Sequence, residues 1–211
     1  MPDGDEFLRK VYASGGDVSS LSESYNSWSE SYDADLSAMG YRYPFMVAGT
    51  LGRFVPDLGS RILDAGCGSG MIGQALSLVG YRNIVGIDIS DGMLRMAATK
   101  ACYIELRKEQ LGERLGFSDA EFDTIVSSGV MTVGHAPPEC LHELARVVKS
   151  GGHFVVTIVR EAWEDGYRDM AQRMSAGRVL SPLFSTDYFT VLPGAGPDEQ
   201  TEARVHVFRK L

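Results

Sequence analysis

From about residue 60 onward the chain alternates two hydrophobic rhythms: short, nearly continuous apolar runs, and longer stretches with apolar residues every three to four positions. The runs read as buried strands and the stretches as helices, an alternation that builds a parallel sheet with helices on its faces. ILDA (62–65) predicts the first strand, NIVGIDI (83–89) the second, FDTIVSS (122–128) the fourth and HFVVTIV (153–159) the fifth. A third is expected within 104–111, a sixth within LFSTDYFTVL (183–192), and the alternating tail ARVHVFRKL (203–211) reads as a closing strand. Between the first two, 70–79 places Ile72, Ala75, Leu76 and Val79 on one helical face, with Gly80 as the stop. Ser90-Asp91 caps a helix carrying Met93, Leu94, Met96 and Ala97. Pro137-Pro138 opens another, with Leu141, Leu144, Ala145 and Val148 on its apolar face and Ser150-Gly151-Gly152 at its end. A further helix is expected over 161–177, where Trp163, Tyr167, Met170 and Met174 recur at helical spacing, a stripe that usually means core.

The first 60 residues differ in kind. They are rich in Ser, Asp and Tyr as far as Met39, after which PFMVAGTLGRFV (44–55) reads as a helix leading into the first strand. The expected organisation is an N-terminal helical attachment, residues 1–42, on one α/β domain, residues 43–211, with no repeat and no linker. The length of 211 residues suits a single full-sized core. A net charge of -8, with Lys and Arg scattered, argues against a nucleic-acid partner, because phosphate neutralisation needs a basic face. Three widely spaced cysteines (Cys67, Cys102, Cys140) do not make a disulfide framework, and four histidines lack the spacing of a structural zinc site. No signal peptide is visible in MPDGDEF and no run is long enough to span a bilayer, so a soluble, cytoplasmic protein with no membrane partner is expected.

The chemistry concentrates in RILDAGCGSGMIG (61–73), where two nucleotide-binding registers overlap. Asp64 followed by Gly66, Gly68 and Gly70 is one; Gly68, Gly70 and Gly73, spelling G-x-G-x-x-G, is the other. Either would lie on the first strand–loop–helix unit of an open sheet, with Asp88, about 20 residues on, positioned to hold ribose hydroxyls. A dinucleotide would bring two phosphate charges beside Asp64, a penalty of several kcal/mol at intermediate dielectric. S-adenosylmethionine brings a sulfonium and an ammonium instead, and the balance favours it.

LDAGCGSG (63–70), GIDIS-x-x-ML (86–94), FDTIVSSGVM (122–131) and ELARVVKSGG (143–152) together resemble the class I S-adenosylmethionine-dependent methyltransferases, over about residues 60–160. YNSWSESYD (25–33), DISDGMLRMA (88–97) and GVMTVGHAPP (129–138) look more narrowly like the small methyltransferase-like subgroup of the Williams–Beuren syndrome region. The resemblance implies a doubly wound, Rossmann-like, mostly parallel sheet of seven strands with the last antiparallel. It also implies that Gly66, Cys67 and Gly68 line the methionine portion, that Asp88 binds the ribose, and that Ile89 and Met93 pack on the adenine. Gln110 and Leu111 fall where relatives often carry an acidic residue touching the adenine amine, and Ser127 and Gly129 stand at the mouth where cofactor and acceptor meet.

Methyl transfer is an in-line displacement, so the protein mainly holds acceptor and donor in register. A hydroxyl or acidic carbon acceptor also needs a base, and His135, in a Gly-His-Ala-Pro loop after the fourth strand, is the candidate catalytic residue; the alternative is a histidine that merely bonds a loop carbonyl. Tyr25, Trp28 and Tyr32 share a helical face that either packs on the core or forms a flap, with Tyr32 near the methionine end and Trp28 as anchor. Cys67 reads as a small packing residue. The Asn/Asp-Pro-Pro-aromatic motif often found in enzymes methylating exocyclic nitrogens is replaced by Ser127-Ser128-Gly129-Val130. The expected activity is therefore methyl transfer from S-adenosylmethionine to a small molecule, giving S-adenosylhomocysteine, by a monomer or homodimer. Two alternatives stay open: a binding protein that keeps the cofactor site without transfer, and a nicotinamide-dependent oxidoreductase, although no Tyr-x-x-x-Lys occurs.

Overall fold

All four residues of ILDA are buried, which is what a strand at the centre of a helix-covered parallel sheet requires. In the computed structural model, which describes residues 18–197 and 200–211, this strand is β1 (Ile62–Ala65). Three helices precede it: α1 (Val18–Trp28), α2 (Tyr32–Ala38) and α3 (Tyr43–Phe54). Then follow α4 (Met71–Leu78), β2 (Ile84–Asp88), α5 (Asp91–Thr99), β3 (Glu105–Lys108), β4 (Phe122–Met131), α6 (Cys140–Val147) and β5 (Val148–Val159). A short α7 (Arg160–Ala162), a π-turn (Trp163–Tyr167) and α8 (Arg168–Ala176) lead to β6 (Leu180–Ser185), β7 (Phe189–Thr190) and β8 (Glu202–Lys210). The part of the N-terminal attachment assigned to residues 1–17 lies outside the described residues.

The sheet order is β3-β2-β1-β4-β5-β8-β6, with the two-residue β7 also on β8, so the expected seven strands are joined by a short eighth. The pairs β3–β2, β2–β1, β1–β4 and β4–β5 are parallel, whereas β8 runs antiparallel to β5 and β6. Strand order reverses between β1 and β4, and the crevice beyond their carboxyl ends is where an open sheet takes ligands. Among the described residues no helix is long and apolar enough to cross a membrane.

Several elements depart from the periodicity. Pro137 and Pro138 do not open α6; they form the turn before it, their carbonyls accepting from the Cys140 and Leu141 N–H groups. The helix also ends early, because Val148 already pairs with Phe122, and Ser150-Gly151-Gly152 lies inside β5 at a register shift. The helix expected over 161–177 is broken: Gly166 takes a φ of 122°, which a continuous helix excludes, and a π-turn separates α7 from α8. Tyr167, Met170 and Met174 are core, while half-buried Trp163 stacks on His206 at 4.2 Å. Val79, placed on the buried face of α4, is exposed. The third strand is only four residues long, which leaves Gln110 and Leu111 in the loop after it.

Candidate functional site

The loop after β1 is shaped by backbone bonds. The N–H groups of Gly66 and Cys67 both donate to the Ile87 carbonyl, which pins the turn to β2. Gly66 sits at φ 81°, and a Cβ there would lie 2.2 Å from Val130 Cγ2, so only glycine fits between the turn and β4. Asp88, at the end of β2, ties the loop to the next helix: its Oδ2 accepts from the Gly68 N–H at 2.9 Å and its Oδ1 from the Ser90 N–H at 2.9 Å. Burial pushes the Asp88 carboxyl above its ordinary value, and the N–H groups of Ser90, Gly68 and Ile89 oppose the shift.

A cavity opens over this turn. Of the residues expected to hold a cofactor, Gly66, Gly68, Asp88, Ile89, Met93, Gln110, Leu111, Gly129 and Tyr32 line it, as does His135. Five do not. Ser127 is fully buried and donates to the Ala65 carbonyl at 2.7 Å, joining β4 to β1, so the strand alternation gives the cavity Ser128 instead. Gly70 is the N-cap of α4, with φ 88°. Cys67 is buried beside the loop, and burial with the nearby Asp64 and Asp88 charges lifts its thiol well above the ordinary range, leaving it inert. Trp28 lines a neighbouring cavity, its Nε1 donating to Asp35 Oδ2 at 2.8 Å.

Asp64 is the fifth. It is completely buried beneath the loop and accepts from the Tyr103 hydroxyl at 2.7 Å; burial raises its pKa to about 7, the Tyr103 bond acting against the rise. Tyr103 also settles the overlapping registers, because a Cβ on Gly73 would lie 2.3 Å from its ring. The last glycine of G-x-G-x-x-G therefore makes room for a core tyrosine. The contrast between ligands rests on other residues: among the described residues of the cavity wall the only charged side chains are the carboxylates of Asp88 and Glu109, with no Lys or Arg. A pyrophosphate would meet two carboxylates and no side-chain cation among these residues, whereas a sulfonium with an ammonium meets complementary charge.

Sequence reasoning missed Leu21, Ile87, Glu109, Ser128, Val130 and Ala136 on this wall. Glu109 carried a readable signal, since it directly precedes Gln110 at the position where an acidic residue was sought. The others depend on pleat direction and on the docking of α1, which no local pattern reports.

His135 lies at the mouth, its Nδ1 2.6 Å from Thr132 Oγ1 and its Nε2 3.1 Å from the Tyr25 hydroxyl. Burial holds its pKa below the ordinary histidine value, so the ring is neutral near pH 7 and one nitrogen accepts a proton. When Nδ1 carries the hydrogen toward Thr132, Nε2 is the basic atom. Helices α1 and α2 roof the site through Leu21, Tyr25 and Tyr32. They are fastened by side chains: Asn26 Oδ1 accepts from the Gly92 N–H at 2.6 Å and the Ser90 hydroxyl at 2.9 Å, and Asp33 accepts from Ser69 Oγ and from Lys100 Nζ at 2.5 Å.

Comparison with known proteins agrees with this geometry. Residues 63–156 match the family model described as a methyltransferase domain. Methyltransferase-like protein 27 of Homo sapiens is 31% identical over 157 residues, covering 72% of this chain and 64% of that protein. The ubiquinone biosynthesis O-methyltransferase of Alkalilimnicola ehrlichii is 33% identical over 46% of this chain and 40% of its own length. The chain thus spans less than two thirds of the length of these curated relatives. Among solved structures, a TehB-like SAM-dependent methyltransferase from Corynebacterium glutamicum shares the fold with a TM-score of 0.64, at 24% identity, over 88% of this chain and 99% of that one. The cyclase SpnF does so with a TM-score of 0.62, at 17% identity, over 79% and 80%. Residues 63–156 of this chain thus match a methyltransferase domain, and the fold around them is the class I, Rossmann-like fold of S-adenosylmethionine-dependent methyltransferases.

Proposed function

We propose that the protein transfers the methyl group of S-adenosylmethionine to a small-molecule acceptor and releases S-adenosylhomocysteine. The observation that carries this reading is a cavity at the strand-order reversal whose wall, among the described residues, bears two carboxylates and no Lys or Arg. In it, the lone pairs that the Asp88 oxygens keep beside the Gly68 and Ser90 N–H bonds take the ribose hydroxyls, and Ile89 and Met93 pack against the adenine, with Glu109, Gln110 and Leu111 at its edge. Gly66 and Gly68 lie along the methionine portion, Gly129 and Ser128 at the reacting end, and Tyr32 above it. The bound cofactor supplies an activated methyl leaving sulfur; the chain's own task is to position the acceptor and exclude water. His135 takes the acceptor proton where one must be removed. Residues 18–42 act as a roof over the cofactor, and the chain works in the cytoplasm as a monomer or homodimer without a nucleic-acid or membrane partner. The resemblance to the small methyltransferase-like subgroup of the Williams–Beuren syndrome region belongs to the same proposal.

Parallel calorimetric titration with S-adenosylmethionine, S-adenosylhomocysteine and NADH tests it. Micromolar binding of the first two and none of NADH is expected; binding of NADH alone would sink the reading. A second reading, cofactor binding without methyl transfer, draws support from the solved cyclase that shares this fold. It predicts the same titration with no methylated product from any acceptor.

A further inference from the structure

Half-buried Tyr103, in the connection between α5 and β3, does not line the cofactor cavity, yet three glycines make room for its ring. A Cβ on Gly73, in α4, would lie 2.3 Å from the ring. One on Gly70, the N-cap of α4, or on Gly86, in β2, would lie 3.0 Å from it. The phenol is thus wedged between the helix and the strand that bracket the glycine loop. Its hydroxyl donates to Asp64 Oδ2 at 2.7 Å. Asp64 Oδ1, equally buried, makes no full hydrogen bond, the Gly73 N–H reaching the carboxyl only weakly. Tyr103 is therefore the main partner of a carboxyl group lying under the cofactor loop.

We propose that Tyr103 is a positioning residue for the cofactor: its hydroxyl holds the Asp64 carboxylate as a negative charge beneath the loop, and that charge favours cationic S-adenosylmethionine over S-adenosylhomocysteine. The proposal rests on the methyltransferase reading above. The two ligands differ by a methyl group and by the positive charge on sulfur, and Gly66 and Gly68 of the loop face the cavity. A charge under that loop acts on the sulfonium through a poorly screened layer rather than by contact. Binding the substrate more tightly than the product lessens inhibition by the product.

The charge is costly to keep there. Burial raises the Asp64 pKa to about 7; the Tyr103 bond is the largest influence against the rise, and the Asp88 charge adds to it. The titratable groups that face Asp64 are Tyr103 and Cys102 before β3, Cys67 in the loop and Asp88 on β2, none of them a cation. Lys100, near Cys102, is paired with Asp33. The register neighbours of Asp64 are Gly86 on β2 and Val126 on β4, and α4 carries no titratable side chain. Without the phenol hydroxyl, nothing on these elements replaces its bond, and Asp64 takes a proton.

The test is calorimetric titration of the full chain with S-adenosylmethionine and S-adenosylhomocysteine, from about pH 6 to about pH 8.5, for the parent, Tyr103→Phe and Asp64→Asn. The ligands' own titration is common to all three proteins, so differences between proteins isolate Asp64. Asp64 is uncharged at the acid end and ionised at the alkaline end. Relative to Asp64→Asn, the parent's preference for S-adenosylmethionine should therefore rise about threefold to tenfold as pH passes through about 7. Tyr103→Phe keeps the ring under the glycines, and its rise should come about one pH unit higher. Near neutral pH it should bind S-adenosylmethionine about threefold more weakly, with S-adenosylhomocysteine unchanged. A ring that only packs predicts a Tyr103→Phe protein like the parent, and a loop that is merely distorted predicts both ligands weakened by the same factor; either result overturns the proposal. So does a parent whose preference runs parallel to that of Asp64→Asn, a comparison that stands even if Tyr103→Phe does not fold. Failure of the parent to bind either ligand removes the methyltransferase reading itself.

Discussion

The loop after β1 and the helices α1 and α2 face each other across the first cavity, and different kinds of bond hold them. On the loop side the partners are mostly backbone: Gly66 and Cys67 donate to the Ile87 carbonyl, and the Gly68 and Ser90 N–H groups converge on Asp88. Such groups have no alternative partner once the sheet is formed, so the loop stands or falls with the fold. On the helical side the fastenings are side chains, Asn26 on the start of α5, Ser22 on the Ile89 carbonyl, Asp33 on Lys100 and Tyr25 on His135. Those contacts can be exchanged for water one at a time, and Asp33 already keeps about 32% of its side chain exposed. The difference teaches that the cofactor wall is rigid by construction while the roof is separable, so damage to the two should look different.

The largest effect is expected from Gly66→Ala. The new methyl would meet Val130 at 2.2 Å on a backbone with φ 81°, so a loss of about 2–4 kcal/mol in stability is expected by denaturant titration. S-adenosylmethionine binding should fall with it; a variant as stable as the parent would mean that the loop is not clamped between β2 and β4. Asp88→Ala comes next. On the proposed function it removes a charge-assisted contact to the ribose and should cost about 1.5–3 kcal/mol of cofactor affinity, roughly ten- to a hundredfold, read by calorimetry. Unchanged affinity would place the ribose elsewhere.

Asp64 offers a test of the same wall through pH. Its folded-state pKa of about 7 lies above the ordinary 3.8, so the folded state holds the proton more tightly. That stabilisation is complete below the lower value and is lost as pH rises toward 7. Between pH 5 and 7 the parent should lose about 2 kcal/mol more stability than Asp64→Asn, which keeps an acceptor for Tyr103. Parallel pH profiles for the two proteins would show that Asp64 is charged throughout. Asn26→Ala, on the roof, should have the smallest effect. Loss of the bonds to Ser90 and Gly92 should cost about 1 kcal/mol, with cofactor affinity falling by less than about tenfold. Hydrogen exchange should quicken over residues 18–38 while β1, β2 and β4 remain protected. Equal quickening in the sheet would erase the distinction between the walls.

Most of the fold was legible because it is local. The apolar runs at 62–65, 84–88 and 122–131 have the composition of strands covered on both faces, and Ser90 caps α5 through its bond from the Met93 N–H. The glycine loop and Asp88 were legible for the same reason: they lie where one strand ends and the next begins, a place a sequence marks with its own residues. Asp64 was not. An acidic residue beside a ligand loop looks identical in sequence whether it faces the ligand or turns inward to a tyrosine 39 positions away. Ser127 and Ser128 differ only in which side of β4 they occupy at its curved end, a matter of pleat and of Gly129 at φ 74°. The break at Gly166 was equally hidden, since helical spacing continues across it.

The sequence by itself determined the alternation of strands and helices, the glycine turn and the carboxylate that ties it to the next helix, because these follow from period, turn chemistry and order along the chain. Only the tertiary structure decided which of those residues face the cavity and that five aromatic rings from α1, α2, α3 and the turn before α3 line a second cavity. It also decided that His135 stands between them. Each of these depends on pairs of residues far apart in sequence, and their packing is set by the whole sheet rather than by any segment's own preference.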